Sequence, residues 1–335
     1  MIIIQTVNDK CKDTKAQFCT KIQKLLDSKC CHIRINFKNF TPSDLEQLKF
    51  IFFCIKRVDP NKLFSISIDI PIAKSKCILN TNSTRNIKKG ETLRILPKSS
   101  ADFYRHPNTI NYIESSFFNI LKNKNLGHEF IWGDGEAYLE LVDSCDDYII
   151  LKSNTDFILY DNKALSNIHN NTSLSKEQIK YMKYLTSNFN ISNIFLSFCE
   201  NPEEILKIKK NFPQINICAK IETKQGVENL DSILKVADGV MIARGDLAFN
   251  ISLEKFLETQ NTIANKAKKY NKKLFVATDI LTSLNYKAFP SRADLCDFEL
   301  ISSYSPEAII LKGTSFHKER FLKISEFIAS LNFDC

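Results

Sequence analysis

Glycine is scarce in this chain: its 335 residues include only 8 Gly, with 9 Pro, 3 Met and a single Trp. So little Gly and Pro excludes a collagen-like or Pro/Gly-rich low-complexity protein, and 44% hydrophobic residues with 25 Phe exclude intrinsic disorder. No apolar run reaches the roughly 18 residues that a membrane-spanning helix needs. The start of the chain also lacks a basic region followed by a long apolar stretch. We therefore expect a soluble, cytoplasmic protein with no membrane partner.

Neither charge nor cysteine spacing indicates a special partner or structural site. The 46 Lys+Arg exceed the 38 Asp+Glu by a net charge of only +8, and the lysines are scattered along the chain. Nucleic-acid binding needs basic residues interleaved with aromatics on one face, and since no such segment is seen we expect no nucleic-acid partner. The 11 Cys include no Cys-x-x-Cys, and the adjacent Cys30 and Cys31 suit neither zinc nor an ordinary disulfide. Reduced, mostly buried thiols are the simplest interpretation.

Short apolar strands alternate with amphipathic helical segments along most of the chain. The predicted strands are residues 2–6, 32–37, 63–70, 194–198, 215–222, 239–244, 274–281 and 308–312. Eight strand–helix units are the number found in a closed parallel barrel. The pattern therefore predicts an α/β protein, a (β/α)8 TIM barrel made of residues 1–73 and 171–335, which would be the catalytic domain.

The pattern changes between the third and fourth predicted strands. Residues 88–95, 129–135 and 137–142 form short alternating segments separated by turn signals, which is typical of a small antiparallel β-domain. We expect residues 74–170 to form a small inserted antiparallel β-barrel, a lid domain over one mouth of the main barrel.

Polar side chains lie at the carboxyl ends of the predicted barrel strands. They are Arg34, Asn36, Asp69, Lys220, Glu222, Arg244, Asp246 and Thr278. One charged residue near a strand end is usually a solvated rim residue or a structural ion pair, but the strand ends of a barrel converge on the rim where active sites are built. Lys220 and Glu222 are two residues apart on one strand, so both point to the same face. Two carboxylates beside a lysine and an arginine suit a divalent metal held against a phosphorylated anion.

Several of these segments resemble the signature sequences of the pyruvate kinase family. The matching strings are Ala219-Lys-Ile-Glu-Thr-Lys-Gln-Gly-Val227, Ala237-Asp-Gly-Val-Met-Ile-Ala-Arg-Gly-Asp-Leu247, Leu253-Glu-Lys-Phe256 with Gln260, Val276-Ala-Thr278, Pro290-Ser-Arg-Ala-Asp294, Ile33-Arg-Ile-Asn-Phe37, Ile68-Asp69, Leu196-Ser-Phe198 and Trp132-Gly-Asp-Gly135. The resemblance runs nearly end to end. It implies a barrel, a lid inserted after the third strand and usually a carboxyl-terminal domain with a sugar-phosphate effector site. Residue 335 falls just after the eighth predicted barrel helix, so we expect neither that domain nor that effector site.

The resemblance also implies a reaction and a set of residues for it. The family transfers the phosphoryl group of phosphoenolpyruvate to ADP, the last step of glycolysis. Glu222 and Asp246 would bind Mg2+ or Mn2+, with Lys220 and Arg34 on the transferring phosphate. The implied substrate contacts are Lys220, Ser197, the backbone of Gly245 and Asp246, and Thr278. The implied nucleotide contacts are Arg34, Asn36, Lys76, Asp134 and Lys163.

This sequence departs from the family at the potassium site and around the nucleotide. Of the four potassium ligands Asn36 and Asp69 remain, while Lys38 and Ile70 replace a Ser and a Thr. Lys74 falls where potassium-dependent members have Glu, and a tethered ammonium can replace a bound cation, so we expect that K+ is not required. Other departures are Lys76 in place of Arg, Asp279 in place of Gln, and Lys312-Gly-Thr-Ser315 in place of Ser-Gly-Glu-Thr. Lysine cannot reproduce the bidentate contacts of arginine.

Three functions remain possible on these residues. A working, short pyruvate kinase is favoured by the retained metal ligands, lysine, arginine and threonine. A catalytically dead relative kept as a binding or scaffold protein is favoured by the altered nucleotide contacts. A sibling barrel that handles phosphoenolpyruvate or oxaloacetate through a metal-bound enolate is disfavoured by the inserted domain with Asp134. A homodimer through the barrel domain is expected in the first case.

Overall fold

The computed structural model describes residues 2–7, 14–28, 32–37, 42–70, 73–79, 84–97, 111–113, 115–133, 135–159, 163–170, 174, 176–317 and 319–331. The chain divides into two compact units. The first comprises Met1–Pro71 and Ser173–Cys335, and the second comprises Ile72–Thr172.

The elements are numbered in chain order. The first part of unit one contains β1 (Ile2–Val7), α1 (Lys15–Asp27), β2 (His32–Asn36), α2 (Pro42–Val58) and β3 (Ser65–Ile70). The second unit contains β4 (Ala73–Leu79), β5 (Arg85–Ile87), β6 (Thr92–Pro97), β7 (Asn111–Ile113), α3 (Ser115–Lys122), β8 (Glu129–Trp132), β9 (Ala137–Ser144), β10 (Ile149–Ser153), β11 (Phe157–Leu159) and β12 (Lys163–Asn170). Unit one resumes with α4 (Lys176–Asn188), β13 (Ile191–Leu196), α5 (Pro202–Asn211), β14 (Asn216–Ile221), α6 (Lys224–Glu228), α7 (Leu230–Val236), β15 (Gly239–Ala243), α8 (Arg244–Asn250), α9 (Leu253–Lys269), β16 (Lys273–Ala277), a 3₁₀ helix (Thr282–Asn285), α10 (Arg292–Ser303), β17 (Ala308–Leu311), α11 (Gly313–His317) and α12 (Phe321–Ser330).

Eight parallel strands of unit one close into a barrel in the order β1-β2-β3-β13-β14-β15-β16-β17, with β17 pairing back to β1. The predicted (β/α)8 barrel is therefore confirmed. The barrel interior is filled by side chains such as Phe195, Cys218, Met241, Phe275 and Ile310. Because side chains alternate along a strand, the residues two positions further on face the same interior at its carboxyl end.

Helices α1, α6 and α10 of unit one start at side chains that bond their free backbone N–H groups. Thr14 and Gln17 form a reciprocal capping box at α1. Thr223 accepts the N–H of Gly226 at 3.1 Å at α6, and Ser291 accepts that of Asp294 at 3.1 Å at α10. Such caps stabilise a helix by about 1 kcal/mol each. The buried faces of these helices pack on the outer side of the strands in one large apolar cluster.

Several element boundaries differ from the sequence prediction. The seventh strand ends at Ala277 rather than at residue 281, because Thr278, Asp279 and Leu281 adopt left-handed φ values of 85°, 55° and 49°. The fourth strand ends at Leu196, two residues before Phe198, whose φ is 51°. Helices α6 and α7 are separated by Asn229 alone. The 3₁₀ helix and, in the second unit, α3 were not predicted.

The second unit has its own sheet and its own core. Seven strands close in the order β10-β6-β7-β4-β12-β8-β9, and every adjacent pair is antiparallel except β6 with β7. A separate pair joins β5 and β11. Phe130, Trp132, Leu139 and Leu151 are buried in a cluster made only of residues from this unit. None of the helices in the described part of the chain is long and apolar enough to cross a membrane.

Candidate active site

A cavity of about 110 Å³ lies at the carboxyl end of the barrel strands. Its lining residues are Arg34, Lys220, Glu222, Met241, Ala243, Asp246, Ala277, Thr278, Ile310, Leu311 and Lys312. The apolar lining residues belong mostly to the barrel interior and form the floor of the cavity. The charged lining residues lie closer to the carboxyl ends of the strands. The structure thus brings together Arg34, Lys220, Glu222, Asp246 and Thr278, which the sequence placed at the ends of four different strands.

Lys220 is a buried cation held by three side chains. Its Nζ donates to Ser197 Oγ at 2.8 Å and to Asp69 Oδ1 at 3.4 Å, and lies 3.2 Å from Glu222 Oε1. Burial by itself would lower the pKa of Lys220, but the carboxylates of Asp69 and Glu222 outweigh it and the pKa lies above its ordinary value. The ammonium therefore stays charged and nearly immobile.

Asp69 joins two cations of the cavity, Arg34 and Lys220. Arg34 donates to its Oδ2 through Nε at 2.9 Å and also through Nη2, while Ser197 Oγ donates to Oδ1 at 3.0 Å. Burial tends to raise the pKa of Asp69, yet Arg34 and Lys220 bring it down to about 2. Asp69 is 2% exposed. A carboxylate that stays ionised at neutral pH therefore fixes where the guanidinium and the ammonium lie.

Glu222 and Asp246 supply two carboxylates to one cavity. Glu222 is 1% exposed, and its Oε2 accepts the backbone N–H of Phe198 at 2.6 Å. Asp246 lies in the first turn of α8. Carboxylate oxygens suit a hard cation such as Mg2+, which keeps several waters or substrate oxygens as ligands. Among the described residues no group of three or more His, Cys, Asp or Glu is placed to hold a metal ion.

A left-handed turn puts Thr278 beside Gly245. A Cβ added to Gly245 would lie 3.1 Å from Thr278 Cγ2, so only glycine leaves this contact unstrained. The turn is held by Arg244, whose Nε and Nη2 donate to the carbonyl oxygen of Thr278 at 3.0 and 2.7 Å. Nη2 also donates to the carbonyl of Asp279 at 3.1 Å and to Asp297 Oδ2 at 2.9 Å. Sequence reasoning treated Arg244 only as a polar strand end and missed Asp297, since nothing in the local sequence links the two.

Lys312 was also missed as a residue of the cavity. It lines the wall next to Leu311, and its Nζ lies 2.5 Å from Asp279 Oδ1. The signal was present in the sequence, because both positions depart from the family pattern and their charges are opposite.

Some of the residues predicted to bind the nucleotide or a monovalent cation are not among those that line this cavity. Lys38 and Asp134 lie outside the described residues. Lys74, Lys76 and Lys163 lie on the second-unit strands β4 and β12, and only their backbone positions are described: Lys76 is in register with Ala164, Lys163 with Cys77 and Lys74 with His169. In unit one, Asn36 is the register partner of Asp69, and Ile70 is buried next to it.

Cations and carboxylates that converge at the carboxyl ends of a parallel eight-stranded barrel are typical of the (β/α)8 enzyme class. The family model described as "Pyruvate kinase, barrel domain" matches residues 2–316, and the chain belongs to the pyruvate kinase family.

Individual relatives are similar at modest identity. The pyruvate kinase of Thermotoga maritima is 26% identical over 300 residues, which cover 87% of this chain and 62% of that protein. The pyruvate kinase of Pyrobaculum aerophilum is 21% identical over 289 residues, covering 83% and 60%. That of Trypanoplasma borreli is 35% identical over 121 residues, covering 36% and 24%. The chain therefore spans less than two thirds of the length of these curated relatives.

Proposed function

We propose that this chain is a pyruvate kinase, which transfers the phosphoryl group of phosphoenolpyruvate to ADP and yields pyruvate and ATP. The observation that carries the proposal is the buried ammonium of Lys220, held by Ser197, Asp69 and Glu222 at the wall of the cavity. A fixed positive charge costs no reorganisation when negative charge moves past it, which is how electrostatic catalysis lowers a barrier.

The cations act on the phosphate. Lys220 stabilises the phosphoryl group during in-line transfer, and Arg34 bridges the donor and acceptor phosphates. Ser197 and Asp69 orient the two cations, since both contact Lys220 and Asp69 also binds Arg34. The same proposal includes the ADP contacts that the family resemblance implies. They are Arg34 and Asn36 on the barrel, and Lys76, Asp134 and Lys163 in the second unit.

The carboxylates and the left-handed turn bind the rest of the substrate. Glu222 and Asp246 would hold Mg2+ or Mn2+, which would supply positive charge beside the transferring phosphoryl group. The backbone N–H groups of Gly245 and Asp246 and the hydroxyl of Thr278 bind the substrate carboxylate. The proton that converts the enolate to pyruvate comes from water near Thr278.

An assay of ATP formation from phosphoenolpyruvate, ADP and Mg2+ tests this function. The variant Lys220→Met should lose activity by a factor on the order of 100 or more, the effect of removing one charge-stabilising donor. Lys209→Met is the matched control, because Lys209 forms an ion pair with Asp238 away from the cavity. Absence of turnover in the wild type would favour the alternative, a catalytically dead relative that serves as a binding or scaffold protein.

We propose that K+ is not required. The support is the sequence: Lys38 and Ile70 replace two of the potassium ligands, and Lys74 supplies an ammonium where potassium-dependent members have Glu. Rates measured in tetramethylammonium buffer should change less than about twofold on adding K+, since the charge is already covalently present. Activation by many-fold would contradict this.

We propose that residues 1–73 and 171–335 form the catalytic barrel domain and that residues 74–170 form the inserted domain. We also propose that the protein is a homodimer formed through the barrel domain. Apolar side chains are exposed just before and within α10, where Tyr286, Phe289 and Leu295 are 67%, 79% and 39% exposed. Exposed apolar patches are typical of interaction sites. Sedimentation equilibrium of the wild type and of Phe289→Asp should give a dimer and a weakened dimer, respectively.

We also propose a cytoplasmic location. Of the described cysteines, Cys19, Cys54, Cys145, Cys199, Cys218 and Cys296 are free. Burial raises the pKa of Cys199 and of Cys218 above its usual value, so both stay as unreactive thiols. Free thiols in this number suit a reducing compartment. Fractionation of the native cells, with the protein found in the soluble cytosolic fraction, is the corresponding check.

A further inference from the structure

The eighth barrel strand places a third cation on the wall of the cavity. Lys312 follows β17 directly and lines the cavity together with Leu311 and Thr278. Its carbonyl oxygen accepts Nε2 of the fully buried Gln5 at 3.0 Å and the backbone N–H of Ser315 at 3.1 Å. These two bonds fix the backbone at Lys312, so its ammonium can move only by rotation of the side chain.

Lys312 differs from the other two cations in how firmly it is paired. Arg34 and Lys220 are bound to Asp69, whose side chain is 3% exposed. Within the described part of the chain, the ion pair of Lys312 is with Asp279, and these two side chains are 50% and 61% exposed. Exposed ion pairs contribute little to stability, because water solvates the separated charges almost as well. An entering anion can therefore draw Lys312 away from Asp279, while Arg34 and Lys220 stay in place.

The order of the strands places Lys312 close to one group of the proposed substrate contacts. Strand β17 is adjacent to β16, which is followed by Thr278, whereas Lys220 lies on β14 and Arg34 on β2. Lys312 thus lies on the same side of the cavity as Thr278, to which the proposed function assigns the substrate carboxylate.

We propose that Lys312 is a further substrate-binding residue of this chain, which contacts the carboxylate of phosphoenolpyruvate beside the Thr278 hydroxyl. Asp279 holds the ammonium until the substrate enters. The inference rests on the proposed function. The two positions support one another, because Lys312 and Asp279 replace the uncharged Ser and Gln of the family pattern with a complementary pair.

Direct binding of phosphoenolpyruvate tests this without any need for turnover. Isothermal titration with Mg2+ present and ADP absent gives the dissociation constant. Lys312→Met should weaken binding by roughly tenfold, the size of one charge-assisted hydrogen bond. Lys312→Arg should restore the affinity to within about threefold, since the positive charge is kept. Asp279→Asn should leave the affinity equal or tighter, because the ammonium is then released from its resting partner.

Lys273→Met is the matched control. Lys273 is 45% exposed and is paired with Glu307 at 3.2 Å, but it begins β16 and so lies at the opposite end of the barrel. Unchanged affinity in Lys312→Met, or an equal loss in Lys273→Met, would overturn the inference. A wild type that binds phosphoenolpyruvate but forms no ATP rejects the proposed activity and leaves the Lys312 comparison valid. A wild type that does not bind phosphoenolpyruvate overturns both.

Discussion

Asp69 shows how one buried side chain can set the geometry of a whole cavity. Its Oδ2 accepts from Arg34 and its Oδ1 from Ser197, while Lys220 Nζ lies 3.4 Å from Oδ1 and 3.3 Å from Oδ2. The carboxylate is almost inaccessible to water. Breaking a buried pair by removing one partner costs more than the pair contributes, because a charge is then left unpaired. Asp69 is thus a positioning residue for two cations that we assign to the phosphate.

The pKa of Asp69 predicts loss of stability in acid. The carboxyl has a pKa of about 2 when folded, against about 3.9 when unfolded. A lowered folded pKa stabilises the protein above the unfolded value, and the effect is lost as the pH falls from about 4 through about 2. The loss should be on the order of 2 kcal/mol in the free energy of unfolding.

Urea unfolding between pH 6 and pH 2.5 measures this loss. The titration of the Asp69 carboxyl by carbon NMR provides an independent readout. Asp231→Asn is the control, because the exposed Asp231–Lys266 pair should add little. A carboxyl of Asp69 that titrates near pH 4 would contradict the prediction.

A methyl group at position 245 should disturb substrate binding through one identifiable atom. The Cβ of Gly245→Ala would lie 3.1 Å from Thr278 Cγ2, so the threonine must shift and carry its hydroxyl with it. We expect the KM for phosphoenolpyruvate to rise roughly tenfold, the loss of one hydrogen bond to a charged group, with a small effect on folding.

The double variant Gly245→Ala with Thr278→Ser identifies the cause. Serine has the hydroxyl but lacks Cγ2, so the crowding is removed and the KM should return toward the wild-type value. Thr278→Ser alone is the reference. A KM that stays raised in the double variant would mean that the alanine acts by another route, such as the backbone of α8.

At the scale of elements, the end of β16 is where local sequence and tertiary contacts disagree. The apolar and β-branched run at residues 274–281 predicts a strand through Leu281. The strand stops at Ala277 because Arg244, from the start of α8, takes the carbonyl oxygens of Thr278 and Asp279. No pattern within residues 274–281 contains that information, since the arginine lies 34 residues earlier.

The barrel itself could be predicted because each strand is recognisable from its own local sequence. Buried parallel strands are near-continuous apolar runs, as in β15, and the count of eight then determines closure. The convergence of Lys220, Glu222, Asp246 and Thr278 followed from strand ends alone. The partners Asp297 and Lys312 did not, because their roles depend on side-chain contacts between elements that are distant in sequence.

Replacing Thr278 by glycine should separate stability from activity. A β-branched residue with φ of 85° is strained by about 1–2 kcal/mol, and glycine relieves this at an entropic cost of about 0.5–1 kcal/mol. Thr278→Gly should therefore be equal to or about 1 kcal/mol more stable than wild type, yet bind phosphoenolpyruvate more weakly.

Thr278→Ala is the comparison for this prediction. It lacks the hydroxyl, so its activity should match that of Thr278→Gly, but it keeps a Cβ and most of the backbone strain. Chemical denaturation and steady-state kinetics measure the two properties separately. Greater stability in the alanine variant than in the glycine variant would show that the left-handed turn is not a source of strain.

At the scale of the whole molecule, the two units have separate apolar cores. The single tryptophan, Trp132, is 1% exposed inside the core of the second unit. Its fluorescence therefore reports unfolding of Ile72–Thr172, while far-UV circular dichroism is dominated by the larger barrel unit. Transitions that differ between two probes are the sign of units that unfold separately.

We expect two transitions in urea, with the tryptophan signal changing first because the smaller unit buries less surface. Phosphoenolpyruvate with Mg2+ binds residues of the barrel in the proposed function, so it should shift the circular dichroism transition to higher urea. A ligand at one hundred times its dissociation constant stabilises the unit that binds it by about 2.7 kcal/mol. The tryptophan transition should stay where it was. Coincident transitions that shift together would mean that barrel and insertion unfold as one cooperative body.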